Sequence, residues 1–358
     1  MKKTKMMRLA AMVLTTVMLS TVFTGCTSEN SGNSTTAPAE SGVADGTEAS
    51  EKTADSTAAP EVKTGTIKVG VSTNALSNIH NRHMFESVTE AVKAAGHEAV
   101  AVNANGDAAQ QAIDIENLVQ AGCDVIVVQN GDSFSLQNAV KEAAADGVKV
   151  ISQDSGWMEG CSILFTLNSF KVGADIYMLL AAETSFSGKI ITTGHQDNFA
   201  LRSIGALQQA FLNEYSNLEE VAHVQTTFPG TTEVTYNGLE SALIANPDVA
   251  AIWTSQDLEA MGAIQALKEA GLYPQVKCVG VDGELDVLKD IAAGGSALCT
   301  AVSDLDGCAA SIVEYSERLC AGDDTCPKFV DIPYTIVTKE NAEEFIAKAE
   351  AEQSKYAD

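Results

Sequence analysis

Cationic residues are scarce in this 358-residue chain. It carries 22 Lys and Arg against 48 Asp and Glu, for a formal net charge of −26. Such an excess repels nucleic acid and anionic lipid headgroups, so no nucleic-acid partner is expected. After residue 26 only three arginines remain, Arg82, Arg202 and Arg318, which makes an arginine at a functional position informative. A disulfide framework is also missing. Seven cysteines follow Cys26, an odd number scattered along a long chain. Cys123 and Cys278 adjoin apolar runs and read as small core residues, and Cys320 and Cys326 flank a five-residue segment that a disulfide could close into a short loop. No cysteine pair has zinc-ligand spacing with histidines nearby. No G-x-G-x-x-G follows the first strand and no G-x-S-x-G elbow occurs, so dinucleotide and α/β-hydrolase chemistry are unsupported. The five histidines are scattered; His80 and His83 are read as sharing a loop without acidic partners at metal spacing. Asn103, Asn105 and Asp107 look like a fragment of a calcium loop whose other ligands are absent, and read instead as the cap of a helix over 107–121. No catalytic residue, cofactor or metal is expected.

No hydrophobic run is long enough to span a bilayer comfortably as a permanent helix; the apolar stretch from Leu9 to Phe23 is too short. It follows a basic segment with Lys2, Lys3, Lys5 and Arg8 and ends in Thr24-Gly25-Cys26. The segment 1–25 resembles a bacterial lipoprotein signal. The resemblance implies cleavage after Gly25, diacylglycerol on the Cys26 sulfur, and a protein lipid-anchored to the outer face of a Gram-positive-like membrane. The plainer alternative is an ordinary secretory signal with a chance cysteine. Residues 27–62 are Ser, Thr, Ala, Gly and Glu with almost no large apolar side chain. They cannot bury enough surface to offset chain entropy, so 26–64 is expected to be a lipidated cysteine and a disordered linker.

From Thr66 onward short β-branched runs alternate with helical stretches. Strands are expected over 67–71, 97–102, 124–128 and 148–152, with helices ending at Gly96 and Gly122 and over 134–145. The pattern then restarts, with strands over 163–167, 189–193, 219–225, 249–254, 277–281 and 297–302. Helices over 171–184, 200–214, 232–245, 257–270 and 284–293 separate them. Repeated βα units imply parallel sheets with helices on both faces. Some eleven strands are many for one open sheet, so an α/β protein of two similar lobes is expected, with a ligand at the carboxyl ends of the strands.

Five segments carry a resemblance. Ile67 to Ser72 is similar to an opening strand, and Ile151-Ser152-Gln153-Asp154 to a fourth strand ending in an acid. Asn246 to Asp257, Val279-Gly280-Val281-Asp282-Gly283 and Ile332 to Thr338 follow in the expected order. Together they resemble the type I periplasmic binding proteins for ribose, galactose and related sugars, which feed ABC importers. The resemblance implies two Rossmann-like lobes, 65–167 plus 304–331 and 168–303 plus 332–358, joined by three hinge strands near Asn168, Ser303–Asp304 and Asp331–Ile332. It implies a monomer that closes around its ligand, and an ABC permease as partner. The related DNA-binding repressors are set aside, since the chain shows no headpiece and carries an export signal.

Carried over residue by residue, the resemblance implies ligand contacts from Asp154, Arg202, Gln256 and Asp282. Charge-assisted bonds from carboxylates and the arginine fork suit sugar hydroxyls. There are departures. Ser155 stands where an arginine often follows the first acid, the paired aromatics give way to Asn78-Ile79-His80-Asn81 with a short insertion, and Ser303 replaces an amide. Asn78, His80, Gln129, Asn168 and Ser303 are further candidates, and Trp157 is a candidate stacking face, with Phe228 and Phe199 behind it. These changes argue against ribose. Two acids and one arginine suit a small neutral ligand, a monosaccharide or polyol, though the acids leave room for a cation. A sensor that presents its closed form to a membrane kinase or chemoreceptor, and a surface carbohydrate-active enzyme, are the alternatives.

Overall fold

The computed structural model describes residues 65–76 and 79–356. The signal, the linker, Cys26 and the candidate Asn78 lie outside the described residues. The first half contains β1 (Lys68–Thr73), α1 (Ile79–Ala94), β2 (Glu98–Asn103), α2 (Ala108–Gln120), β3 (Val125–Gln129), α3 (Ser133–Ala145), β4 (Lys149–Gln153) and β5 (Cys161–Thr166). The repeat continues with α4 (Ser169–Glu183), β6 (Gly188–Gly194), α5 (Phe199–Glu214), β7 (Leu218–Gln225), α6 (Thr231–Ala245), β8 (Val249–Trp253) and α7 (Asp257–Ala270). It runs on through β9 (Lys277–Val281), α8 (Leu285–Ala293) and β10 (Ala297–Ser303). The remaining elements are α9 (Leu305–Cys320), β11 (Phe329–Asp331), β12 (Tyr334–Val337) and α10 (Ala342–Tyr356).

The strands form two six-stranded sheets, in the orders β11-β5-β4-β3-β1-β2 and β12-β10-β9-β8-β6-β7. All neighbours pair in parallel except β10 and β12, which are antiparallel. The central strands explain the pairing. β3 reads Val-Ile-Val-Val-Gln and is buried throughout, as a strand covered by helices on both faces must be. Helices α7 and α8 stop at Gly271 and Gly294, whose φ of 71° and 74° is the left-handed conformation that glycine adopts without a Cβ penalty.

Each sheet separates two apolar clusters. On the first sheet, Val69, Val127 and Ile163 pack with Phe85 and Val88 of α1 and with Cys308 and Ile312 of α9, while Ile126 and Val128 pack with α2 and α3. On the second, Ile252 and Cys278 face α6, α7 and α8, and Ala251, Trp253 and Val279 face α4 and α5. The seven described cysteines form no disulfide with one another and six of them are buried, so Cys320 and Cys326 are not joined in a loop-closing bridge.

The chain passes between the sheets three times, and the passages touch. The Asn168 N–H donates to Asp331 Oδ1 at 3.3 Å, Ile332 N–H to Thr166 O at 3.0 Å, and Asp304 N–H to Pro333 O at 2.9 Å. Within each sheet the order reverses around one strand, β1 in the first and β6 in the second, and such switch points open a crevice at the strands' carboxyl ends.

Candidate functional site

A cavity of about 60 Å³ lies where the carboxyl ends of the two sheets meet. At 10–15 Å³ per water that is space for roughly four to six waters, the scale of a small ligand and not of an oligosaccharide. Every βα loop that reaches it starts at a strand end. Asn74 and Ala75 follow β1, Asn130 follows β3, Asp154 follows β4 and Leu167 follows β5. From the other sheet come Asn198 and Phe228 after β6 and β7, Gln256 after β8, and Asp282 and Ser303 at the ends of β9 and β10.

Two acids dominate the wall. Asp154 has a φ of 52° and is 6% exposed; its Oδ1 accepts from Thr166 Oγ1 at 2.7 Å and from Leu167 N–H at 3.0 Å. Burial pushes its carboxyl up to about 6, against these two hydrogen bonds and the nearby His80. Asp282, at φ 116°, holds a conformation rare for a residue with a Cβ, a strain of the kind that collects at ligand sites. Its carboxyl is raised well above the ordinary range by burial first, then by Glu284, Asp154 and Glu259. His80 stands across the cavity with Nε2 3.7 Å from Asp282 Oδ1. Burial lowers its pKa, more than the neighbouring acids raise it, which favours the neutral ring. Gln256 is 2% exposed, and its Nε2 has no partner among the described residues.

Residues behind the wall hold these groups. Asp257 is fully buried; its Oδ2 accepts from Gly283 N–H at 2.8 Å and Glu284 N–H at 2.7 Å, and its Oδ1 accepts from Thr300 Oγ1 at 2.8 Å. It therefore fixes the loop that presents Asp282. Gly280 makes room for it: a Cβ there would come within 1.7 Å of Asp257 Oδ1. Glu259 ties Ser255 N–H (2.7 Å) to Thr193 (2.5 Å) and Thr226 (2.8 Å), bracing the Gln256 loop.

This two-sheet architecture with a cleft at the strand ends has close counterparts. A model of the family described as periplasmic binding protein domain matches residues 69–324. The chain belongs to that family. The ribose import binding protein of Bacillus subtilis (strain 168) is 26% identical over 225 residues, 62% of this chain and 72% of that protein. The D-xylose-binding periplasmic protein of Escherichia coli (strain K12) is 31% identical over 221 residues, 60% of this chain and 65% of that protein. Among solved structures, the solute binding protein from Bacillus halodurans C-125 with bound myo-inositol matches with a TM-score of 0.72 and 24% identity, over 80% of this chain and 99% of that one. The arabinose transporter component from Shewanella sp. ANA-3 matches with a TM-score of 0.74 and 20% identity, over 81% and 98%. The fold is the type I periplasmic binding protein fold, and the chain is a binding protein rather than an enzyme.

Within this periplasmic binding protein the expected site residues divide. His80, Asp154, Gln256, Asp282 and Ser303 line the cavity. His80 does so from the first turn of α1, and His83 from the second turn bonds Asp306, so the two share a helix and not a loop. Arg202 does not line it. The buried residues of α5 are Leu201, Ser203, Ile204, Gln208 and Phe211, of which Leu201 and Ile204 line the cavity, while Arg202, two residues or roughly 200° from Ile204, turns toward Asp132. Its guanidinium meets Asp132 Oδ1 at 3.2 Å, donates to Gln196 O and lies over the Phe134 ring, and Ile204 faces the cavity in its place. Gln129 is turned into the core, its Nε2 donating to Gln153 Oε1 at 2.8 Å and Met84 O at 3.1 Å. Asn168 caps α4 by accepting from Lys171 N–H at 3.1 Å. Trp157 is half exposed and away from the cavity, so Phe228 supplies the aromatic surface there; Phe199 instead packs against Gly156. Asn74, Asn81, Asn130 and Asn198 were not anticipated; each follows a strand or opens a helix, where asparagine reads as an ordinary cap.

Proposed function

We propose that this protein is an extracytoplasmic receptor that captures a monosaccharide or related polyol in the cleft and delivers it to an ABC permease. The observation that carries the reading is the cavity built from the strand ends of both sheets, in which polar groups of His80, Asn130, Asp154, Gln256, Asp282 and Ser303 are set among apolar side chains such as Leu167 and Phe228. Carboxylates, amides and a hydroxyl match the hydroxyls of a sugar, and the Phe228 ring offers an apolar face. The names of the relatives, which import ribose and bind xylose, support the same class. Ligand contact is assigned to His80, Asp154, Gln256, Asp282 and Ser303. The lobes are proposed to meet at three hinges, near Asn168, Ser303–Asp304 and Asp331–Ile332. Attachment to the membrane through lipid on Cys26, and a monomeric state, complete the proposal.

A thermal-shift screen of the mature protein against pentoses, hexoses, inositols and nucleosides tests it. A ligand at about 100 times Kd adds about 2.7 kcal/mol to stability, an easily detected shift. No binder among the sugars and inositols would remove the reading.

A further inference from the structure

The expectation of a neutral ligand rested on Arg202 balancing two acids, and Arg202 is engaged elsewhere. Among the described residues no Lys or Arg side chain lines the cavity. Asp154 has one oxygen satisfied by Thr166 and Leu167, and its Oδ2 meets no donor among the described residues. The Asp282 carboxylate finds no side-chain donor there nearer than His80 Nε2 at 3.7 Å. More negative charge lies behind them. Glu284 and Glu259 both weigh on Asp282, and Asp257 is buried under the same loop. The two carboxyls have no base nearer than His80, and burial raises both; a positive charge between them would restore the carboxylate form, which hydroxyl donors alone leave uncompensated. The unpartnered Gln256 Nε2 shows that the wall awaits an acceptor as well.

We propose that the ligand is an amine-bearing polyol, such as an amino sugar or aminoalditol, whose ammonium group lies between the Asp154 and Asp282 carboxylates. Three N–H donors of an ammonium suit the open oxygens of two acids, and its charge replaces the absent arginine. Hydroxyls elsewhere on the ligand accept from Gln256 Nε2 and meet Asn130 and Asn198. The inference rests on the reading of the cleft as a polyol site and narrows its ligand class.

Calorimetry on the mature protein with matched pairs tests it: D-glucosamine with D-glucose, D-galactosamine with D-galactose, glucamine with D-sorbitol, and an aminodeoxyinositol with myo-inositol. In at least one pair the amine is expected to bind about tenfold or more tightly than its hydroxyl twin, and Asp154→Asn and Asp282→Asn each to erase that preference. Melting curves check that the two isosteric variants are folded. A neutral twin that binds as well as its amine in every pair overturns the inference and leaves the polyol reading standing. A preference that survives both substitutions overturns the assignment of the ammonium to these acids. If none of the eight probes binds, the inference is overturned, and the wider sugar screen decides the polyol reading separately.

Discussion

Asp154 shows how much a position at a strand end reveals. It is the first residue after β4, and the resemblance of Ile151-Ser152-Gln153-Asp154 to a family strand ending in an acid is what nominates it; the same resemblance nominates Gln256 after β8 and Asp282 after β9. The hydrogen bonds that hold its Oδ1 come from Thr166 and Leu167 on the next strand, a partnership the sequence has no local means of displaying. Burial raises its carboxyl from 3.8 to about 6, and this has a consequence for stability. At pH below about 4 the folded and unfolded chains both carry the proton. Between there and about 6 the unfolded chain loses it while the folded chain keeps it, so stability falls as pH rises, by about 3 kcal/mol for this group. Asp282 and Asp257, also raised, act in the same direction. Asp154→Asn removes the titration, so denaturant unfolding of the ligand-free protein is expected to show the variant gaining on the wild type as pH rises through this window. A difference between the two that does not change with pH would contradict the raised carboxyl.

At the scale of elements, the alternation of β-branched runs and amphipathic stretches marked β1 to β10 and the helices between them, because each unit announces itself locally. Two helices escaped. α9 buries Leu305, Cys308, Ala309, Ile312, Val313, Ser316 and Cys320, a regular helical stripe, but its cysteines and serine hide it from an apolar count. α10 is charged and has a weak stripe, and its place against α8 follows from the chain's return to the second sheet. Helix phase keeps Arg202 off the cavity: Leu201 and Ile204 supply the α5 surface there, and 202 lies roughly 200° from Ile204. Its actual contact is instructive. Asp132 caps α3 on the first sheet, while α5 packs on the second, so the 3.2 Å pair bridges the cleft. Arg202→Ala is therefore expected to weaken binding of the ligand found by the screen by about 1 kcal/mol, roughly fivefold, the range of a partly exposed pair, and Asp132→Ala by a similar amount. In a double-mutant cycle by calorimetry the two losses should not add. Additive losses would mean that the pair does not act as a unit.

For the whole molecule, the arrangement of the sheets sets what binding must do. The cavity has walls from both; His80 and Asp282 face one another across it, and outside it Arg202 of the second sheet's helix layer pairs with Asp132 of the first. A ligand in so small a space is held from both sides, and the three adjacent passages near Asn168, Asp304 and Ile332 are the proposed hinges about which these contacts part. The ligand-free protein is thus expected to populate an open form, and ligand to shift it toward the closed one by its difference in affinity for the two. Small-angle scattering on a chain beginning at Gly65 measures this as a smaller radius of gyration at saturating ligand. Arg202→Ala, which loses a bridging contact, should enlarge the radius without ligand and leave the saturated value unchanged. A radius that ligand does not alter, in a protein that binds it, would mean that the cleft is already closed when empty, and the proposed hinge motion would fall.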